Sequence, residues 1–182
     1  MPLSDLPRER LDLSRILIYG VTGSGKTTLA AQLSEKLGLP FHSVDELCWG
    51  PNWQIKPDEE QRELFTRLCA QDAWVLDSAY GKWLDVAEAR ATVIIALDYA
   101  RWVSFNRLVK RTLCRVVDKK PVCNGNIESW RQVFSRNSIL AWHVRSFSSK
   151  RRRIRAWKLT GRPMIIHKRA RETREWLEGL RP

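Results

Sequence analysis

The chain has 182 residues, enough for one domain with a substantial core and too few for two ordinary ones. No apolar run approaches the roughly 20 residues that cross a bilayer, and the opening Met1-Pro2-Leu3-Ser4-Asp5 lacks the basic region and apolar stretch of a leader, so a cytoplasmic protein is expected. Residues 1–100 carry 10 Lys/Arg against 15 Asp/Glu and residues 101–182 carry 22 against 5, so the net +12 comes entirely from the second half. Such asymmetry favours an anionic partner, either a phosphorylated small molecule or a nucleic acid. Cys48, Cys69, Cys114 and Cys123 form no CxxC pair and have no accompanying His spacing, which points to reduced, mostly buried thiols.

Residues 1–14 are polar and contain Pro2 and Pro7, the composition of a loosely held arm, and residues 15–182 are expected to form a single domain. Arg15–Tyr19 reads as a strand. Lys26–Leu37 reads as a helix stopped by Gly38 and Pro40. Phe41–Val44 reads as a second strand ending at Asp45, and Gly50-Pro51-Asn52-Trp53 as a turn. Asp58 and Gln61 have capping-box spacing and would open a helix to Ala70, with Leu64, Phe65 and Leu68 on one face.

Trp74–Asp77 and Thr92–Asp98 are buried-type strands. A helix is predicted from Arg101 to about Arg115, with Trp102, Phe105, Leu108, Val109 and Leu113 as its apolar residues. Pro121–Gly125 breaks the pattern, and residues 116–127 would form a small lid. Glu128–Phe147 reads as a further helix, Met164–His167 as the last strand and Arg171–Leu180 as a closing helix. Trp74, Trp102 and Trp130 fall on apolar faces and are expected in the core. Alternating strands and helices imply an α/β fold of three layers: a parallel sheet of about five strands covered on both faces, with functional residues at the strands' carboxyl ends.

Gly20-Val21-Thr22-Gly23-Ser24-Gly25-Lys26-Thr27 spells GxxxxGK[ST] between a strand and a helix, the context a phosphate-binding loop requires. Glycines let successive N–H groups turn inward onto phosphate oxygens, and the positive end of the following helix points to the same place. Gly20, Thr22, Gly23, Ser24, Gly25, Lys26, Thr27 and Thr28 are therefore expected to bind ATP or another nucleoside triphosphate. Lys26 would reach the β and γ phosphates, and the Thr27 hydroxyl would ligate Mg2+.

Asp77, after the apolar Trp74-Val75-Leu76, has the form of an acidic residue holding that magnesium through water; a capping or turn aspartate is the other reading. Asp45 could orient or deprotonate an acceptor hydroxyl, or cap a short helix through Glu46 and Leu47. Arg107, Lys110, Arg111 and Arg115 recur at helical spacing, so that Arg107, Arg111 or Arg115 could cover a transferred phosphoryl group. Trp49 and Trp53, just beyond Asp45, could flank an acceptor pocket. His143 and His167 read as structural.

Together, the phosphate loop after Ile16-Leu17-Ile18-Tyr19, Val44-Asp45-Glu46-Leu47-Cys48-Trp49, Trp74-Val75-Leu76-Asp77-Ser78-Ala79-Tyr80 and Val93-Ile94-Ile95-Ala96-Leu97-Asp98 resemble adenylate-kinase-related phosphate-loop proteins labelled DNA topology modulation proteins. The resemblance covers roughly residues 15–157 and extends to Arg101-Trp102 and the basic helix. It implies a nucleoside-monophosphate-kinase-like fold with ATP on Gly23, Gly25, Lys26 and Thr27 and an arginine-bearing lid. The chain departs from adenylate kinases between Leu47 and Trp74, where Arg62 and Arg67 sit on a predicted helix and no separate monophosphate-binding segment is present.

The reaction these features favour is transfer of the γ-phosphoryl of ATP to a small acceptor. A nucleic-acid-associated NTPase or polynucleotide kinase is suggested by Lys150-Arg151-Arg152-Arg153-Ile154-Arg155, through which weak nucleic-acid binding is expected. A nucleotide-binding regulatory protein with weak hydrolysis is the third reading.

Overall fold

A computed structural model describes residues 11–78 and 82–180. The strands β1 (Arg15–Gly20), β2 (Phe41–His42), β3 (Trp74–Leu76), β4 (Val93–Leu97) and β5 (Met164–His167) form one sheet in the order 2-3-1-4-5. Every pairing is parallel, with Leu17 opposite Leu76 and Gly20 opposite Leu97. The helices are α1 (Lys26–Leu37), α2 (Val44–Cys48), α3 (Asp58–Cys69), α4 (Leu84–Arg90), α5 (Arg101–Asp118), α6 (Trp130–Val133), α7 (Ile139–Leu159) and α8 (Ala170–Glu178). The expected three-layer α/β fold is the one formed. Among the described residues, no helix is long and apolar enough to cross a membrane.

Strand residues alternate between faces, and each face of the sheet has its own core. Leu17, Tyr19, Leu76, Ile94 and Ala96 pack with Val44 and Cys48 of α2, Phe65 and Leu68 of α3, and Ile154 and Trp157 of α7. Ile16, Ile18, Val75, Val93, Ile95 and Leu97 pack on the other side with Leu29, Ala30 and Leu33 of α1 and Trp176 and Leu177 of α8. Each fully buried side chain among them contributes roughly 1.5–3 kcal/mol relative to exposure, and Trp176 and Leu177, which are partly buried, contribute less. Phe65 and Trp83 stack with their ring planes 8° apart in the first core.

Several expectations are corrected. Residues 1–10 of the expected arm lie outside the described residues, as do Ala79 and Tyr80 of the resembling segment. Leu11 and Leu13 pack on the second core, and the Ser14 carbonyl accepts from Trp74 N, so this stretch is held against the sheet. The second strand ends at His42, and Asp45 lies in the first turn of α2, whose N-cap is Ser43. No capping box forms at Asp58, because Gln61 is buried and used elsewhere. Its Nε2 donates to the Lys56 carbonyl, and its Oε1 accepts from Trp83 Nε1 and Cys48 Sγ.

The helix expected over Glu128–Phe147 is two helices. Ser129 and Gln132 form a reciprocal capping box that starts α6, and Ser138 accepts from Ala141 N to start α7. Trp102 and Trp130 are 69% and 48% exposed, whereas Trp74 is fully buried. The buried stripe of α5 is Ser104, Leu108, Thr112 and Val116, which places Trp102 off the packed face. Cys48 and Cys69 are buried, which pushes both thiols up to about 12, but Cys114 is exposed.

Candidate functional site

The loop 20–27 joins the end of central β1 to α1, at the carboxyl edge of the sheet. Gly23 and Gly25 adopt φ of 81° and 94°, in the left-handed region that side chains resist. At Gly23 space is also closed, since a Cβ there would lie 2.3 Å from the Ser104 carbonyl oxygen and 2.9 Å from Leu108 Cβ on α5. Gly23→Ala is therefore expected to destabilise the fold by at least about 2 kcal/mol, combining left-handed strain with overpacking. Chemical denaturation of the two proteins measures it.

Inside the loop, Ser24 N and Ser24 Oγ both donate to the Val21 carbonyl, at 3.2 and 2.8 Å. Lys26 Nζ donates to the same carbonyl at 3.0 Å. Burial pushes the Lys26 ammonium below its ordinary range, Asp45 and Asp77 oppose that, and Arg111 adds to it. A phosphate entering the loop would supply the negative charge this ammonium lacks. Thr22 and Thr28 line the same cleft.

Asp77 follows β3 and is almost fully buried. Its Oδ2 accepts from Thr27 Oγ1 at 2.6 Å, and its Oδ1 accepts from Val44 N at 2.9 Å. Burial raises the carboxyl above its ordinary range, and these two hydrogen bonds pull it back. Thr27 and Asp77 thus offer a hydroxyl and a carboxylate side by side at the mouth of the phosphate loop. Such hard oxygen donors fit magnesium, which takes one or two protein oxygens and fills its octahedron with phosphate and water.

Asp45 opens into the cleft one helical turn before Trp49, whose N–H donates to the Asp45 carbonyl. Trp49 and Trp53 meet edge to face with ring centres 6.0 Å apart, and both line the cleft. Trp53 and Asn52 have φ of 56° and 57°, unusual for a bulky residue such as tryptophan. The neighbouring turn holds them there. Asn126 Oδ1 accepts from Trp53 N, and Asn126 Nδ2 donates to the Gly50 carbonyl, each at 2.8 Å. Asn124 Nδ2 donates to the carbonyls of Glu46 and Trp49. The segment read as a lid therefore begins inside α5, and its tip is fastened to the loop after Asp45.

Arg107, Arg111 and Arg115 all line the cleft but have different partners. Arg107 lies over the Tyr99 ring, 5.7 Å from its centre, and the Tyr99 hydroxyl is 2.5 Å from that of Thr173. Arg115 is ion-paired to Glu128 at 3.2 Å. Arg111 lines the cleft beside Arg115, within the electrostatic reach of Asp45. Arg62 is paired with Asp85 at 2.6 Å and does not line the cleft. His143 is fully buried against Ser104 Oγ at 2.9 Å and His167 is buried; burial lowers the pKa of both rings, which fits structural roles.

Sequence reasoning missed Lys150 as a cleft residue. It was visible only as the start of a basic run, yet the buried residues of α7, His143, Ser146, Phe147, Ile154 and Trp157, recur at spacings that place Lys150 on the same face. The rest of the run disperses around the helix. Arg151 pairs with Asp98 at 2.8 Å, Arg153 lies 3.9 Å from Glu88, and Arg152 and Arg155 are exposed.

The cleft joining these groups has a volume of about 1850 Å³, beyond the roughly 300–1,000 Å³ that holds one small ligand. A family model, the ATPase family associated with various cellular activities (AAA), matches residues 16–79, from β1 to just beyond Asp77. A shikimate kinase from Acinetobacter baumannii, solved with shikimate, is similar in structure, with 14% identity, a TM-score of 0.57 and coverage of 94% of this chain and 92% of that one. A sugar kinase from Janibacter sp., solved unliganded, has 18% identity, a TM-score of 0.53 and coverage of 92% and 91%. A gluconokinase from Sinorhizobium meliloti has 17% identity, a TM-score of 0.53 and coverage of 93% and 90%. At these identities the likeness is one of fold. The chain shares the fold of these kinases and carries a GxxxxGK[ST] phosphate-loop sequence at the carboxyl edge of its sheet.

Proposed function

We propose that the protein is an ATP-dependent phosphotransferase that moves the γ-phosphoryl group to a hydroxyl of a small acceptor. One observation carries the reading: Lys26, the Thr27–Asp77 pair and Asp45 open into one cleft large enough for two ligands. In this reading the loop amides and Lys26 hold the phosphates, and Thr27 and Asp77 hold magnesium. Magnesium held by Thr27 and Asp77 would offset the negative charge of the phosphate oxygens. Asp45 orients the acceptor hydroxyl and takes its proton as the acceptor oxygen bonds to phosphorus and the bond to the ADP oxygen breaks. Arg111 faces the developing charge, with Arg115 beside it. Arg107, held over Tyr99, lines the same cleft and is a third candidate for that charge.

The fold likeness to sugar, shikimate and gluconate kinases supports a small acceptor. The test is a screen of hydroxyl-bearing acceptors with γ-labelled ATP beside a hydrolysis-only control. Label on an acceptor is expected. Release of inorganic phosphate alone across sugars, polyols, nucleosides and nucleotides would favour a hydrolytic or regulatory protein.

The dispersal of residues 150–155 around α7 weighs against a nucleic-acid role, because a continuous phosphate-contacting stripe is missing from that run. ATP turnover is expected to be unchanged by single- or double-stranded DNA or RNA at near-physiological salt. Any binding should be weak and salt-labile, with a log-log slope near 0.9 per contacted phosphate on duplex DNA. Marked stimulation that disappears when Arg151, Arg152 and Arg153 are changed to alanine would replace the small acceptor with a polynucleotide.

A further inference from the structure

Two ammonium groups sit on consecutive carbonyls of the phosphate loop. Lys26 Nζ takes the Val21 carbonyl at 3.0 Å, and Lys150 Nζ, arriving from α7, takes the Gly20 carbonyl at 3.2 Å. Lys150 also lies 5.4 Å from the centre of the Tyr19 ring. Its neighbours Arg151 and Arg153 have carboxylate partners, Asp98 and Glu88. Among the described residues no carboxylate stands within ion-pair distance of Lys150.

A cation drawn out of water without an adjacent anion is costly, and the protein keeps this one beside a second cation at the place where phosphate enters. The charged groups acting on it from the packed elements are Lys26 on α1 and Asp45 on α2. Burial pushes the Lys150 ammonium down to about 7, Lys26 adds to that, and Asp45 opposes it. Asp45 acts on Lys26 as well. Lys150 and Asp45 line the same cleft as the loop, and the bond to Gly20 places the Lys150 ammonium at the strand end of the loop, next to the carbonyl that Lys26 takes.

We propose that Lys150 is a second phosphate-binding residue, which leaves the Gly20 carbonyl to pair with the terminal phosphate and makes the site prefer a nucleoside triphosphate to the diphosphate. This rests on the nucleotide-binding reading above. Two cations on one terminal phosphate would also favour release of the spent diphosphate, whose outermost group keeps Lys26 and the loop amides but lacks Lys150.

The experiment is calorimetric titration of wild type, Lys150→Met and Lys150→Arg with the non-hydrolysable β,γ-imido analogue of ATP and with ADP, each with magnesium. Lys150→Met is expected to weaken the triphosphate analogue by about 10-fold to 100-fold, the range of a hydrogen bond to a charged group, while ADP affinity stays within about 3-fold, under 1 kcal/mol. Lys150→Arg should recover most of the loss. Equal loss for both nucleotides, or no loss for either, in a folded Lys150→Met protein overturns the proposal. If that variant fails to fold, Lys150→Gln, which retains a donor for Gly20, carries the same comparison with the same outcomes. Wild-type protein that binds neither nucleotide refutes the nucleotide reading itself, whereas wild type binding both with an unaffected variant refutes Lys150 alone.

Discussion

Lys26→Ala is expected to remove most ATP turnover, by on the order of 100-fold to 1,000-fold, the scale on which a single preorganised contact to developing charge acts. The Lys26 ammonium lies within the loop, close to Asp45 and Asp77, and no other side chain starts from the same point of α1. Alanine takes away the charge at the β and γ phosphates and leaves the glycine backbone in place. The fold should survive, because Ser24 still binds the Val21 carbonyl through both N and Oγ. The measurement pairs nucleotide affinity and turnover with a thermal melt. A folded Lys26→Ala protein with unchanged affinity and turnover would remove the loop from the chemistry.

Asp77→Asn and Asp45→Asn should each lower turnover by on the order of 100-fold or more with little loss of ATP affinity, through metal placement in one case and proton acceptance in the other. Asparagine at 77 can still accept from Val44 N through its carbonyl oxygen, but the amide that replaces Oδ2 cannot accept from Thr27 or bind a cation. The Asp77 variant should respond to magnesium concentration, with part of its rate regained at high metal. The Asp45 variant should not. At Asp45 the loss should fall on the step that follows acceptor binding, so kcat drops more than the ATP KM rises. Near-wild-type rates in both would reduce the two carboxylates to structural roles, Asp77 as the clasp that joins Thr27 to Val44.

The strands and the phosphate loop were legible because their signals are local. Ile16, Leu17 and Ile18 are fully buried, as an uninterrupted apolar run bounded by turn residues implies, and the spacing of glycine, lysine and threonine dictates the loop. Asp77 was legible for the same reason, as the polar residue that follows a buried strand. What escaped was set by distant partners. Gln61 has the spacing of a cap but is drawn inward by Lys56, Cys48 and Trp83. Trp102 matches an apolar helix pattern, yet α5 must bring Ser104 and Leu108 against Gly23, and that choice of face leaves the indole outside. Ser129-x-x-Gln132 is a readable helix start inside the Glu128–Phe147 stretch, and Ser138 starts the second helix there. Asn124 and Asn126 carry no motif, and their work on the backbone of residues 46–53 emerges only when the two segments meet.

The strand order also governs when the molecule can assemble. β1 is synthesised first but occupies the centre of the sheet, so Arg15 must wait for Trp74 and Ile16 for Val93 before either edge of the strand is paired. At about 5–20 residues per second that wait lasts several seconds on the ribosome, during which Ile16-Leu17-Ile18-Tyr19 is an unpaired apolar strand of the kind that aggregates or recruits chaperones. Gly23 has no wall to close against until Ser104 and Leu108 have emerged, and Lys150 comes later still. The phosphate-loop motif is thus translated well before the segments that wall it in, and mutations that slow pairing of β3 or β4 should lower the yield of folded protein out of proportion to their effect on its final stability.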